Sequence, residues 1–206
     1  MSLRQEIRSI SADLDEPELL HHLITERFAG QTVVTASLRA PSIVVLKMIS
    51  DIDPATPVIF CQRPPVFEES AEYRSAIVEQ FGLTNVTMND GHETAVADGD
   101  RDHTERMWVH SKDMPGSTSQ LLHLNECLSP YKCWISAVYH NTPSRFVNNR
   151  VDVDGKLIKV DPLVRWSRED VQAYMRNNEL PYHKMAKREF TYDDKKGDTT
   201  YPMYHF

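Results

Sequence analysis

Residues 32–61 read TVVTASLRAPSIVVLKMISDIDPATPVIFC. The stretch opens on small and β-branched residues, Thr32 to Ala36, and closes on the apolar run Pro57 to Cys61. Both suit strands that are buried on two faces. Between them, Ser42 to Ile49 is apolar enough for a buried helix, and Pro41 stands at its first turn, where a missing N–H costs nothing. A strand, a helix of about ten residues and a second apolar strand form the pattern of a parallel βαβ unit. The chain is therefore expected to be an α/β protein with a mostly parallel sheet.

The flanking sequence extends the pattern in both directions. Upstream, Leu19, Leu20, Leu23, Ile24 and Phe28 recur at helical spacing within 16–28, and Gly30 follows as a stop. Downstream, Tyr73, Ile77, Val78 and Phe81 mark one side of a helix over 68–81 that ends at Gly82. Asn85 to Met88 is expected to be a third strand, and the polar, acidic stretch from Asn89 to Asp102 a loop. Trp134 to Tyr139 and Leu157 to Val160 complete the strands, the latter after a turn at Asp154-Gly155. Within that last strand Lys159 has two readings, facing the site or facing solvent, and the second is expected because a lysine at a strand edge is more often solvated. Ser167 and Asp170 stand in capping-box relation, flanked by Trp166 and Val171 as a hydrophobic staple, so a helix should run from Arg168 to about Asn177. Residues 1–188 are read as a single domain and 189–206 as a polar and aromatic tail.

Composition narrows the partners. With 23 basic against 30 acidic residues, the formal charge of -7 argues against nonspecific wrapping of a phosphate backbone. Nucleic acid is not an expected partner. No apolar run approaches the ~18 residues of a membrane span, so no membrane partner is expected either. The three cysteines, Cys61, Cys127 and Cys133, form no disulfide framework. That pattern fits a reducing, cytoplasmic setting.

Two blocks carry a resemblance. In the first, Thr35 to Leu83, a strand and a Ser-initiated loop lead to a helix, and then to Asp53, the Pro57 to Phe60 strand, Phe67, Glu69, Tyr73 and Arg74. In the second, Trp134 to Tyr182, the elements WISAV, PSR, DGKLIKVDPLVRW, REDVQAYM and LPYH follow in order. Together they cover about half of the chain. This layout resembles the phosphoadenylyl-sulfate and adenylyl-sulfate (PAPS/APS) reductase family, within the adenine nucleotide alpha hydrolase-like superfamily. The resemblance implies a three-layer fold, a mostly parallel twisted sheet flanked by helices, that takes an adenine nucleotide or sulfonucleotide.

The same resemblance points to an anion-binding set. The family's phosphate loop falls on Ser37-Leu38-Arg39-Ala40-Pro41-Ser42. Ser37 matches the family's serine, Arg39 replaces a glycine, Ser42 replaces an aspartate, and Pro41 has no N–H to offer an anion. Arg39 can supply a direct charge contact instead. After the second strand, Gln62-Arg63-Pro64 replaces the family's Asp-Thr-Gly turn. Arg39 and Arg63 are then expected at neighbouring strand ends, where ligands of parallel α/β sheets bind. The competing expectation is that each faces solvent or pairs with an acid such as Glu68 or Glu69. Pro143-Ser144-Arg145 keeps the family's arginine, so Arg145 completes the set, the competing expectation being a structural ion pair.

The family's chemistry is less well represented. Its reductases attack sulfur with a thiolate from a late Glu-Cys-Gly-Leu-His motif, and residues 188–206 contain no cysteine. The cysteine pairs that hold an iron–sulfur cluster in some members have no counterpart, so no cofactor is expected. The first functional expectation is a divergent protein that binds an adenine nucleotide or related anionic metabolite of sulfur assimilation, with Cys61 or Cys127 taking over any redox step. The alternative is a non-catalytic relative acting as a nucleotide sensor or partner subunit, with a protein partner or a second copy of itself. A third expectation, a zinc module, rests on His123, Cys127, Cys133 and His140, although small buried thiols are the commoner outcome of such spacing.

Overall fold

The computed structural model describes residues 3–61, 67–89, 118–137, 150–154 and 157–184. Among the described residues six strands form one sheet: β1 (Thr32–Ala36), β2 (Val58–Cys61), β3 (Val86–Asn89), β4 (Cys133–Ser136), β5 (Val151–Asp154) and β6 (Leu157–Val160). Their order is β3-β2-β1-β4-β6-β5. All neighbours run parallel except β5 and β6. Every residue of β1 is buried, as its unbroken run of Thr, Val and Ala requires of a central strand.

Alternation along the strands sorts the core into two layers. Val34, Ala36, Val58, Phe60, Cys133 and Ile135 face one side. Against them pack α2 (Glu16–His21), α3 (Ala40–Ile52), α4 (Glu68–Gln80) and α6 (Arg168–Asn177). Val33, Ile59, Trp134 and Leu157 face the other side and meet Leu124 and Leu128 of α5 (Thr118–Leu128). Helix, sheet and helix make three layers, as the resemblance implies.

Local sequence explains most boundaries. Helix α3 places Pro41 in its first turn, and α6 begins at a capping box in which Ser167 and Asp170 exchange bonds. The Trp166 ring lies against Tyr174, with centroids 5.7 Å apart. The helix expected over 16–28 is not uniform. It starts at an Asp15–Glu18 capping box and then widens into a π-helical turn, His22–Arg27, where the Thr25 hydroxyl donates to the His21 carbonyl at 2.8 Å.

One helix and one buried guanidinium complete the sheet's far edge. Helix α1 (Leu3–Asp13) buries Ile7, and its Arg8 Nε donates to the Val151 carbonyl of β5 at 3.1 Å. Arg150, 4% exposed, then donates to the Ser11 and Leu14 carbonyls and to Glu16. One guanidinium thereby ties the start of β5 to the α1–α2 corner.

Candidate functional site

The strand order reverses between β1 and β4. The α3 and α4 crossovers lead from β1 to β2 and β3, whereas β6 and β5 lie beyond β4. Such a switch point opens a crevice at the carboxyl ends of the strands. Ser37 sits at its mouth, directly after β1.

The loop from Ser37 into α3 is closed by serines rather than by glycine backbone. The Ser37 N–H donates to Ser42 Oγ at 3.0 Å, and the two hydroxyls lie 3.1 Å apart. The Arg39 N–H reaches Ser37 Oγ at 3.4 Å. Arg39 is the N-terminal boundary residue of α3, its backbone extended and its side chain exposed. Ser42 is 4% exposed, so the position carries an acceptor without a negative charge. An anion at this helix start meets positive dipole and no carboxylate from that position. Arg63 and Arg145 lie outside the described residues, as do His140, the 90–102 stretch and the 189–206 tail.

Neighbouring strands supply a second polar group. Trp134 Nε1–H donates to Thr35 Oγ1 at 2.8 Å, and Lys159 Nζ stands 4.9 Å from the Trp134 ring centroid. The same ammonium lies 3.6 Å from Asp161 Oδ2. Lys159 is therefore not solvated, contrary to expectation; only 14% of its side chain is exposed. The reason is topological: β6 is an interior strand, flanked by β4 and β5.

The thiols are held in their neutral form. Burial pushes both Cys61 and Cys133 up to about 12, and raises Cys127 above its usual value. Asn89 Nδ2–H donates to Cys61 Sγ at 3.9 Å, which offsets part of that rise. The expected zinc constellation does not assemble. Cys127 lies 3.6 Å from His123 Nε2 on the α5 side of the sheet, whereas Cys133 points into the opposite core. Among the described residues no group of three or more His, Cys, Asp or Glu side chains is placed to hold a metal ion.

The LPYH element docks onto α4. Tyr73 OH donates to the Pro181 carbonyl at 2.7 Å, and the Ser70 hydroxyl lies 3.1 Å from His183 Nε2. His183 is 2% exposed and packs edge-on to Tyr73. Burial lowers its pKa below 6.5, with Glu69 opposing and Lys184 assisting. The unfolded chain then binds this proton more readily than the folded one, so stability falls as pH drops below 6.5. Thermal midpoints measured down that range should decline less steeply in His183→Gln. An identical decline would mean that His183 contributes nothing to the acid limb.

Sequence comparison agrees with this geometry. The family model described as the phosphoadenosine phosphosulfate reductase domain matches residues 31–192. An adenosine 5′-phosphosulfate reductase of Mesorhizobium japonicum is 29% identical over 164 residues, covering 79% of this chain and 64% of that protein. The chain thus spans a little under two thirds of that relative's length. The solved structure of a phosphoadenylyl-sulfate reductase from Candida auris, a phosphate complex, superposes with TM-score 0.63 at 17% identity, covering 90% of this chain and 92% of that one. An NH3-dependent NAD synthetase from Campylobacter jejuni superposes with TM-score 0.53 at 10% identity, covering 93% and 80%. These two likenesses establish the adenine nucleotide alpha hydrolase-like fold. Among the described residues no helix is long and apolar enough to cross a membrane.

Proposed function

The chain belongs to the phosphoadenosine phosphosulfate reductase domain family, and on that premise we propose that it binds an adenine nucleotide or sulfonucleotide at the crevice between β1 and β4. The observation that carries this reading is the Ser37–Ser42 pair, which shapes the strand-to-helix loop at the switch point without placing a carboxylate there. Ser37, Arg39 and Ser42 meet one end of the ligand, and Arg63 and Arg145 supply the remaining positive charge. Cysteine-based reduction of the usual kind is not part of the proposal, nor is an iron–sulfur cluster. All three thiols are raised by burial, and Cys133 faces away from the other two. A thiol far above neutral pH supplies little of the thiolate that attacks sulfur.

Thermal-shift titration with AMP, ATP, adenosine 3′,5′-bisphosphate and adenosine 5′-phosphosulfate tests the reading. A ligand at a hundred times its dissociation constant stabilises by about 2.7 kcal/mol. At least one of these compounds should raise the midpoint, and Arg145→Ala and Arg39→Ala should weaken that response. No shift with any of the four would sink the proposal. Sulfite release that needs one of the three cysteines would instead restore a reductase.

A further inference from the structure

Helix α5 carries a base, an acid and a thiol on one flank: His123, Glu126 and Cys127. Their spacing of three and four residues brings them together on the helix surface. His123 Nε2 lies 3.6 Å from Cys127 Sγ, and His123 Nδ1 lies 4.0 Å from a Glu126 carboxylate oxygen. With the ring proton on Nδ1, Nε2 is left to accept from the thiol.

The other two cysteines lack this arrangement. Cys133 is fully buried within the opposite core. Cys61 has a donor in Asn89 and directs its own S–H toward the Ile59 carbonyl at 3.8 Å, and neither group can take up its proton. Cys127 is half-buried at the rim of the cluster around Leu124, Leu128 and Trp134. It combines access with a base.

We propose that Cys127 is a site of reversible S-thiolation by low-molecular-weight disulfides, with His123 as its general base. The thiol proton passes to His123 Nε2 as Cys127 Sγ attacks one sulfur of the disulfide. The disulfide's S–S bond breaks, a new S–S bond joins Cys127 to one half, and the departing thiolate takes the proton from His123. One thiol is consumed and one released, so no further oxidant is needed. Because burial raises the Cys127 thiol, little thiolate exists beforehand at neutral pH, and transfer to His123 has to accompany the attack.

The test uses the full chain, reduced, with 5,5′-dithiobis(2-nitrobenzoate) as the disulfide and the released thiolate followed by absorbance at neutral pH. One thiol per chain should react in a fast phase that vanishes in Cys127→Ser. His123→Gln, which keeps the size of the side chain and removes the base, should slow that phase about tenfold or more. In denaturant every variant that retains Cys127 should expose all three thiols at one common rate, which separates loss of the base from loss of the fold. Oxidised glutathione should add a single glutathionyl group, on the peptide that contains Cys127. A fast phase that survives Cys127→Ser, or one unchanged in His123→Gln, would overturn the proposal.

Discussion

Trp134→Ala is expected to lower the free energy of unfolding by about 3–5 kcal/mol, the range for emptying a buried aromatic site. The side chain is 2% exposed and joins Val33, Ile59 and Leu157 of three other strands to Leu124 and Leu128 of α5. Its removal leaves a cavity that rigid strands on both sides cannot close. The Thr35 hydroxyl, 2% exposed, also loses its donor, and the Lys159 ammonium loses the ring face beneath it. Trp134→Phe separates these effects. It keeps most of the packing but removes the N–H, and should cost about 1–2 kcal/mol. Urea denaturation reads both as a lowered midpoint at unchanged slope. A cost for Trp134→Ala below that of Trp134→Phe would mean that the second core layer does not depend on this ring.

Arg150→Ala is expected to cost about 3–5 kcal/mol, because it strands buried partners instead of removing them. Two carbonyls, of Ser11 and Leu14, lose their donor at 2.9 and 2.7 Å, and the Glu16 carboxylate loses its counter-charge at 2.9 Å. Lysine keeps the charge but offers no fork to span three acceptors, so Arg150→Lys should recover only part of the loss. Hydrogen exchange should show the effect first in residues 3–13, whose helix is anchored through this corner. Protection of those amides equal to wild type would contradict the anchoring role.

The elements most legible in the sequence were those whose residues leave little choice. TVVTA and PVIFC are too apolar for any place but a sheet interior, and Ser167 with Asp170 announces a helix start through its own side-chain chemistry. Helix α1 was missed although Leu3, Ile7, Ile10 and Leu14 recur at helical spacing, a short apolar stripe of which Ile7 is fully buried. Strand β5, VDVD, alternates with acids because it lies at the sheet edge, where Asp152 stands opposite Lys159. Strand order is a tertiary decision that no local pattern encodes. It explains why Lys159 is enclosed, whereas Cys133 faces away from Cys127 because successive residues of β4 alternate between the two faces of the sheet. At the site, Ser37 and Ser42 were legible as positions in a loop. Their mutual hydrogen bonds depend on how tightly that loop turns into α3.

The pairing of β1 with β4 also has a consequence for how the molecule is made. The Trp134–Thr35 bond joins residues 99 positions apart, and β1 lies at the centre of the sheet. During synthesis the βαβ unit of β1, α3 and β2 can leave the ribosome long before β4 does. Until then one edge of β1 has no partner, and Val33 and Ile59 await the indole that covers them. Loop closure over such a span is slow relative to local structure. The nascent first half therefore passes through an interval with a sticky central strand on display, when chaperones have their strongest claim on this chain.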